Sequence, residues 1–224
     1  MKTFDIEKIR QVYEERKRKS FIQLRPIEEM MMRVIKKNPS ADVISCMDYI
    51  HKNINCTEKY YGAMPEDAPQ SIQDWISSKD RRGLYMHGEV GTGKTHILYA
   101  LAKLYRANGK DVDVKNFPNW LDDLRQSYKK ENDDVNLGNE LNKNCILMID
   151  DIGSEKASEW TLEIMYRLIN NRYENAMPTI FAGNLDISQF SKKYGDRITS
   201  RIVEMVGGKC GIIKISGEDR RLKL

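Results

Sequence analysis

The sequence predicts an α/β fold in which a five-stranded parallel sheet is covered by helices on both faces. Three observations carry this expectation. From Gly83 onward, short apolar runs alternate with helical stretches, the rhythm of strand–helix–strand units. Cys145-Ile146-Leu147-Met148-Ile149 is apolar throughout, as expected of a strand buried on both faces. Gly88-Glu89-Val90-Gly91-Thr92-Gly93-Lys94-Thr95 fits the spacing G-x-x-x-x-G-K-[ST] and lies between a strand and a helix, the context such a loop requires.

Taken in order, residues 1 to about 37 read as helical, with Ile6, Ile9 and Tyr13 on one face. Asn38-Pro39-Ser40 is a break, and residues 41 to 53 read as a second helix capped by Ser40. Residues 1–60 are thus expected to form a small helical N-terminal region. Residues 61–71, with Gly62, Pro65 and Pro69, read as a linker, and residues 72–224 as the main domain, entered through a short helix at Trp75. Leu84 to His87 is a strand. A helix follows from Lys94 to Asn108, stopped by Gly109. Asp111 to Lys115 alternates as a strand does, and Pro118 to Lys130 is amphipathic, with Trp120, Leu121, Leu124 and Tyr128 on one side. After the strand Cys145–Ile149 come a helix over 158–175, a strand over 178–182, helices over 186–193 and 196–206, and a last strand over 211–216.

Bulk properties narrow the class. The chain has 224 residues, enough for one ordinary domain and a smaller piece. Its 31% charged residues and negative mean hydropathy point to a soluble protein. A net charge of +4 permits nucleic-acid contact without demanding it. No apolar run approaches the roughly 20 residues needed to span a bilayer, and the N-terminus has no apolar signal core, so the cytoplasm is expected and no membrane partner. Cys46, Cys56, Cys145 and Cys210 do not suggest a disulfide framework in a chain of this length. Cys46, His51 and Cys56 hint at a metal site, but their spacing is poor and a fourth ligand is missing.

The glycine-rich loop explains its own spacing. Glycines let backbone N–H groups of Gly88, Glu89, Val90, Gly91, Thr92 and Gly93 curl around phosphates, and the new helix points its positive end at them. Lys94 can reach the β- and γ-phosphates of ATP, and the Thr95 hydroxyl can ligate Mg2+. His96 follows as a packing or supporting residue. The strand Leu147-Met148-Ile149 ends in Asp150 and Asp151: Asp150 is placed to hold Mg2+ and Asp151 to polarise an attacking water. Asn184, after the strand 178–182, can hydrogen-bond the γ-phosphate or the water, or it can cap the next helix, a task open equally to Asp186.

GEVGTGKTH, ILMIDDIGSE, TIFAGN, GDRITSRIVEM and GEDRR, in that order over roughly residues 60–224, resemble the AAA+ ATPases of the bacterial and phage helicase-loader family, DnaC and DnaI, with the IstB-type transposition helpers as near relatives. The resemblance implies a three-layer P-loop AAA+ fold and an ATPase that self-associates into a ring or spiral. In such assemblies an arginine of one subunit touches the γ-phosphate held by the next. Arg201 matches that finger, with Arg197 as the neighbouring candidate. Arg220 or Arg221 matches the arginine of the second sensor, and Asn184 the first sensor. Two departures stand out. The second acid is Asp151 where many AAA+ proteins have glutamate, which implies slow hydrolysis. The sequence also stops soon after Arg221, so no C-terminal helical lid is expected.

The helix 118–130 stands where loaders carry an extra element facing a central channel. It offers Arg125, Tyr128, Lys129 and Lys130 to single-stranded DNA, since a basic groove with an aromatic surface suits unpaired bases; alternatively its charges are merely solvated. The resemblance also implies a DnaB-type replicative helicase as partner, gripped by the N-terminal region, where Ile6, Ile9, Tyr13, Met31 and Ile35 are the apolar candidates. Three functions are therefore compared: a loader that places a replicative helicase on single-stranded DNA, a transposition helper with the same ATPase core, and an ATP-binding adaptor that barely hydrolyses.

Overall fold

The computed structural model describes residues 50–78, 82–130, 137–141 and 143–219. The N-terminal helices expected before residue 50, with the apolar candidates Ile6, Ile9, Tyr13, Met31 and Ile35, lie outside these residues, as do Cys46, Arg220 and Arg221.

Five strands, β1 (Leu84–His87), β2 (Val112–Asn116), β3 (Ile146–Ile152), β4 (Thr179–Gly183) and β5 (Ile212–Lys214), form one sheet in the order β2-β3-β4-β1-β5, with every pairing parallel. Side chains alternate across a strand, so the apolar runs divide between two cores. Leu84, Met86, Val112, Val114, Ile146, Met148, Ile180 and Ala182 face one layer. Tyr85, Leu147, Ile149 and Phe181 face the other. The first layer holds α1 (Gln70–Ser77) and α2 (Lys94–Ala107); the second holds α3 (Phe117–Lys130), α5 (Glu159–Glu174), α6 (Ile187–Tyr194) and α7 (Asp196–Met205). The three-layer parallel architecture is the expected one, and among the described residues no helix follows β5.

Local chemistry sets the ends of the helices. The Ser158 hydroxyl accepts the Thr161 amide at 3.2 Å and starts α5. Asp186 and Gln189 form a reciprocal capping box on α6: the Asp186 carboxylate accepts the Gln189 amide at 2.8 Å, and the Gln189 side chain accepts the Asp186 amide at 3.0 Å. That assigns the cap to Asp186 rather than Asn184. A short helix, α4 (Leu137–Leu141), was not foreseen from the sequence, because five residues are too few to show a helical period. It buries Leu137 and brings Glu140 to the sheet edge, where Lys143 bridges Glu140 at 2.8 Å and Asp113 at 3.1 Å. Charges at an edge strand such as β2 disfavour pairing with other chains.

The stretch expected as a linker, residues 61–71, is packed against the domain. Pro65–Asp67 forms a single 3-10 turn, and Ala63, Pro65 and Ala68 are buried. Lys103 on α2 is fully buried and explains the packing. Its ammonium donates to the carbonyls of Tyr60, Tyr61 and Ala63 at 2.7, 2.9 and 3.0 Å. Burial pulls its pKa down to about 8. Lys103→Met is expected to destabilise the domain by about 3 kcal/mol, because it strands buried carbonyls. Urea unfolding measures this, and an unchanged midpoint would show that the segment is not anchored there.

Candidate nucleotide site

The strand register brings the predicted residues to one end of the sheet. His87 lies beside Gly183 and Lys214, Asn116 beside Asp150, and Ile152 beside Gly183. From β1 the chain passes through α2 on one face to β2 at the far edge, and the next helices lie on the opposite face. In open parallel sheets the crevice at such a reversal, outside the carboxyl ends of the strands, takes the ligand.

The loop between β1 and α2 wraps tightly. Gly88 has φ 153°, and a Cβ there would stand 2.1 Å from the Ile215 carbonyl oxygen, because the chain after β5 lies directly against it. The Ile215 amide in turn donates to the His87 carbonyl at 2.7 Å. At Gly91, φ 83°, a Cβ would stand 2.1 Å from the Asp219 carboxyl carbon, so the end of the described chain packs on the loop. Glu89 and Val90 are exposed at the tip, while Thr92 is buried and donates to the Glu89 carbonyl at 2.9 Å. Lys94 is buried, and its ammonium donates to the carbonyls of Gly88 and Glu89 at 2.8 and 2.7 Å. Thr95 and His96 are half-buried in the first turn of α2.

The acids meet the loop at Thr95, whose hydroxyl donates to Asp150 at 3.2 Å. Burial, and then the adjacent Asp151 charge, push the Asp150 carboxyl up to about 6. A hydroxyl and a carboxylate joined in this way offer the hard oxygen donors that Mg2+ prefers. The pair thus fits the metal the sequence implied. Strand β3 runs through both acids and ends one residue later, at Ile152. The pairing with β4 shifts between Ile149 and Ile152, and Asp151 adopts φ 56° at the irregularity. A bulge of this kind re-aims a side chain.

Asn116, which sequence reasoning missed, receives Asp151. Its amide nitrogen donates to the Asp151 carboxylate at 2.9 Å, and its amide oxygen accepts the Asn119 amide at 3.3 Å. One side chain therefore touches both the second acid and the start of α3. The only signal in the sequence was a polar residue closing β2; the partner became visible with the register. Asn184 lies exposed immediately beyond β4, next to these strand ends.

The arginines occupy another face. Arg201 on α7 donates through Nε to Asn170 at 2.8 Å and through its terminal nitrogen to the Arg197 carbonyl at 2.9 Å. Both guanidinium groups lie over the Tyr166 ring, Arg197 at 4.6 Å and Arg201 at 5.4 Å. Their contacts are with α5 and α7, and none of these contacts is to the phosphate loop. On α3, Trp120, Leu121 and Leu124 are buried as expected, whereas Tyr128, expected on the same side, is exposed, as is Arg125, which pairs with Asp122 at 3.3 Å. Arg125 stacks over Trp160 at 4.5 Å. Lys129 and Lys130 end the helix, and their side chains lie outside the described residues. No described helix is long and apolar enough to cross a membrane.

Comparison with known proteins bears on the family and the fold. A family model described as IstB-like ATP binding protein matches residues 56–224. The replicative helicase loader DnaI of Bacillus subtilis is 25% identical over 165 residues, covering 68% of this chain and 53% of that protein. The chain thus spans about half the length of the curated relatives it matches. Among solved structures, a DnaC helicase loader superposes with a TM-score of 0.61 at 22% identity, covering 71% of this chain and 100% of that one. A replication initiator DnaA bound to AMPPCP and single-stranded DNA superposes with a TM-score of 0.58 at 20% identity, covering 75% of this chain and 53% of that one.

Proposed function

The chain belongs to the family of IstB-like ATP-binding proteins, and from that premise we propose that it is an ATPase that loads a replicative DNA helicase onto single-stranded DNA. The observation that carries the proposal is the division of the site. Lys94, Thr95, Asp150 and Asp151 gather at the loop, whereas Arg201 is held on α5 and α7. A second copy, assembling side by side in a ring or spiral, completes the site with its own Arg201.

The roles follow from the geometry. Lys94 exchanges its carbonyl contacts for phosphate oxygens of ATP, and the loop amides from Gly88 to Thr95 cradle the rest. Thr95 and Asp150 hold Mg2+, which neutralises charge on the phosphates when bound. Asp151 orients the attacking water, and Asn184 contacts the water or the γ-phosphate. Arg220 or Arg221 approaches the nucleotide from the chain that continues beyond Asp219. Arg125 and Tyr128, with Lys129 and Lys130, contact DNA. Residues 1–60 grip a DnaB-type helicase. The kinship to DnaI supports this partner, and the DnaA complex supports the DNA contact.

Asn116 ties the acid to the start of α3. Asn116→Ala is expected to release Asp151 and raise basal ATP turnover about threefold, the worth of one hydrogen bond. A fall in turnover would show instead that Asn116 holds Asp151 in its working position.

The decisive experiment measures the size of the mixture with a replicative helicase, in ATP and in ADP. A complex that forms in ATP and loosens in ADP is expected; no complex in either state contradicts the loader. The family match to IstB favours a second reading, a transposition helper acting on duplex DNA. Retention of a transposase instead of the helicase in a pull-down selects it. Absence of turnover with and without single-stranded DNA would select the adaptor switch, for which Asp151 in place of glutamate is the supporting feature.

A further inference from the structure

An arginine that serves a neighbour's phosphate needs a fixed direction before the neighbour arrives, and it needs its charge left unspent. Both conditions are met on the α5–α7 face. Arg201 Nε donates to Asn170 Oδ1 at 2.8 Å, and Nδ2 of the same carboxamide donates to Glu174 at 2.8 Å. The Glu174 carboxylate can only accept, so it settles which end of the Asn170 amide faces Arg201. A second guanidinium nitrogen donates to the Arg197 carbonyl at 2.9 Å, and the rings of Tyr166 and Tyr173 lie 5.4 and 5.6 Å from the guanidinium carbon.

All these partners are neutral. Of the acids on this face, Glu174 accepts from Asn170 at 2.8 Å and Glu204 accepts the Tyr173 hydroxyl at 2.9 Å, and Arg201 forms no ion pair among the described residues. Of the five N–H donors a guanidinium carries, two are used among the described residues. An arginine kept for stability would gain most from a carboxylate in a bidentate pair. This one is oriented and left charged.

We infer that Asn170, oriented by Glu174, is a positioning residue that aims the Arg201 guanidinium at phosphates bound by an adjacent copy of the chain. The inference rests on the shared-site reading and adds a residue to it. Asn170 touches no nucleotide; it acts through Arg201.

The test is a double-mutant cycle on the full chain, read as release of labelled phosphate and as ATP affinity. Asn170→Ala is expected to lower kcat about tenfold, the weight of a hydrogen bond to a charged group, and to leave ATP affinity within about twofold. Glu174→Ala is expected to lower kcat about threefold by freeing the amide to turn. In an Arg201→Ala background neither change should lower kcat further. Equal losses in both backgrounds would overturn the inference, because a general structural effect does not depend on Arg201. So would an unchanged kcat in Asn170→Ala. Should Arg201→Ala alone keep full turnover, the shared-site reading itself fails, an outcome separate from the other two.

Discussion

Arg201→Ala is expected to bind ATP as tightly as the unsubstituted chain and to turn it over about a thousandfold more slowly. An arginine supplied across an interface stabilises charge that develops on the transferring phosphate, and its loss costs at least that factor in comparable phosphoryl-transfer sites. The expected split between binding and turnover follows from place. Arg201 contacts Asn170, Arg197, Tyr166 and Tyr173, none of which belongs to the phosphate loop of the same chain. Its removal leaves Lys94, Thr95 and Asp150 untouched. Steady-state turnover together with equilibrium nucleotide binding checks both halves. A parallel loss of affinity would place Arg201 in its own chain's site.

Lys94→Ala is expected to act in the opposite manner, weakening ATP binding by about a hundredfold or more. The ammonium is buried at the start of α2 and is held by two carbonyls of the loop it serves. It is a preplaced, buried charge, and truncating one side of a buried charged contact costs about 2–5 kcal/mol. Alone, the variant should also lose whatever assembly depends on its own bound ATP, while an ATP-loaded copy with an intact Lys94 can still recruit it. Titration calorimetry measures the affinity, and retained binding would show that the loop amides suffice without the lysine.

Much of this was legible in the sequence because the chemistry is local. The loop from Gly88 to Thr95 is contiguous, its spacing is demanded by phosphate geometry, and the structure sets it between β1 and α2. The acid pair was legible for the same reason: an apolar buried strand carries it. What escaped depended on register or on long-range packing. Asn116 is 35 residues from Asp151 and meets it only because β2 and β3 pair as they do. Lys103 drew no notice in the sequence, where nothing marks one lysine of a helix as buried, yet it is fully buried and pins carbonyls some forty residues earlier. Prolines and a glycine made residues 61–71 resemble a linker, although the same residue types also build tight packed turns. The role of Asn170 depends on which helix crosses α5, and no periodicity encodes that.

The claim that two copies share one site can be tested by mixing two inactive proteins. Lys94→Ala lacks its own phosphate grip but keeps Arg201; Arg201→Ala keeps the grip but lacks the finger. In a mixed assembly, the intact loop of one variant faces the intact arginine of the other. ATP turnover of the mixture should rise well above that of either variant alone and depend on the mixing ratio. Turnover that stays at the level of the separate variants at every ratio would contradict the shared site.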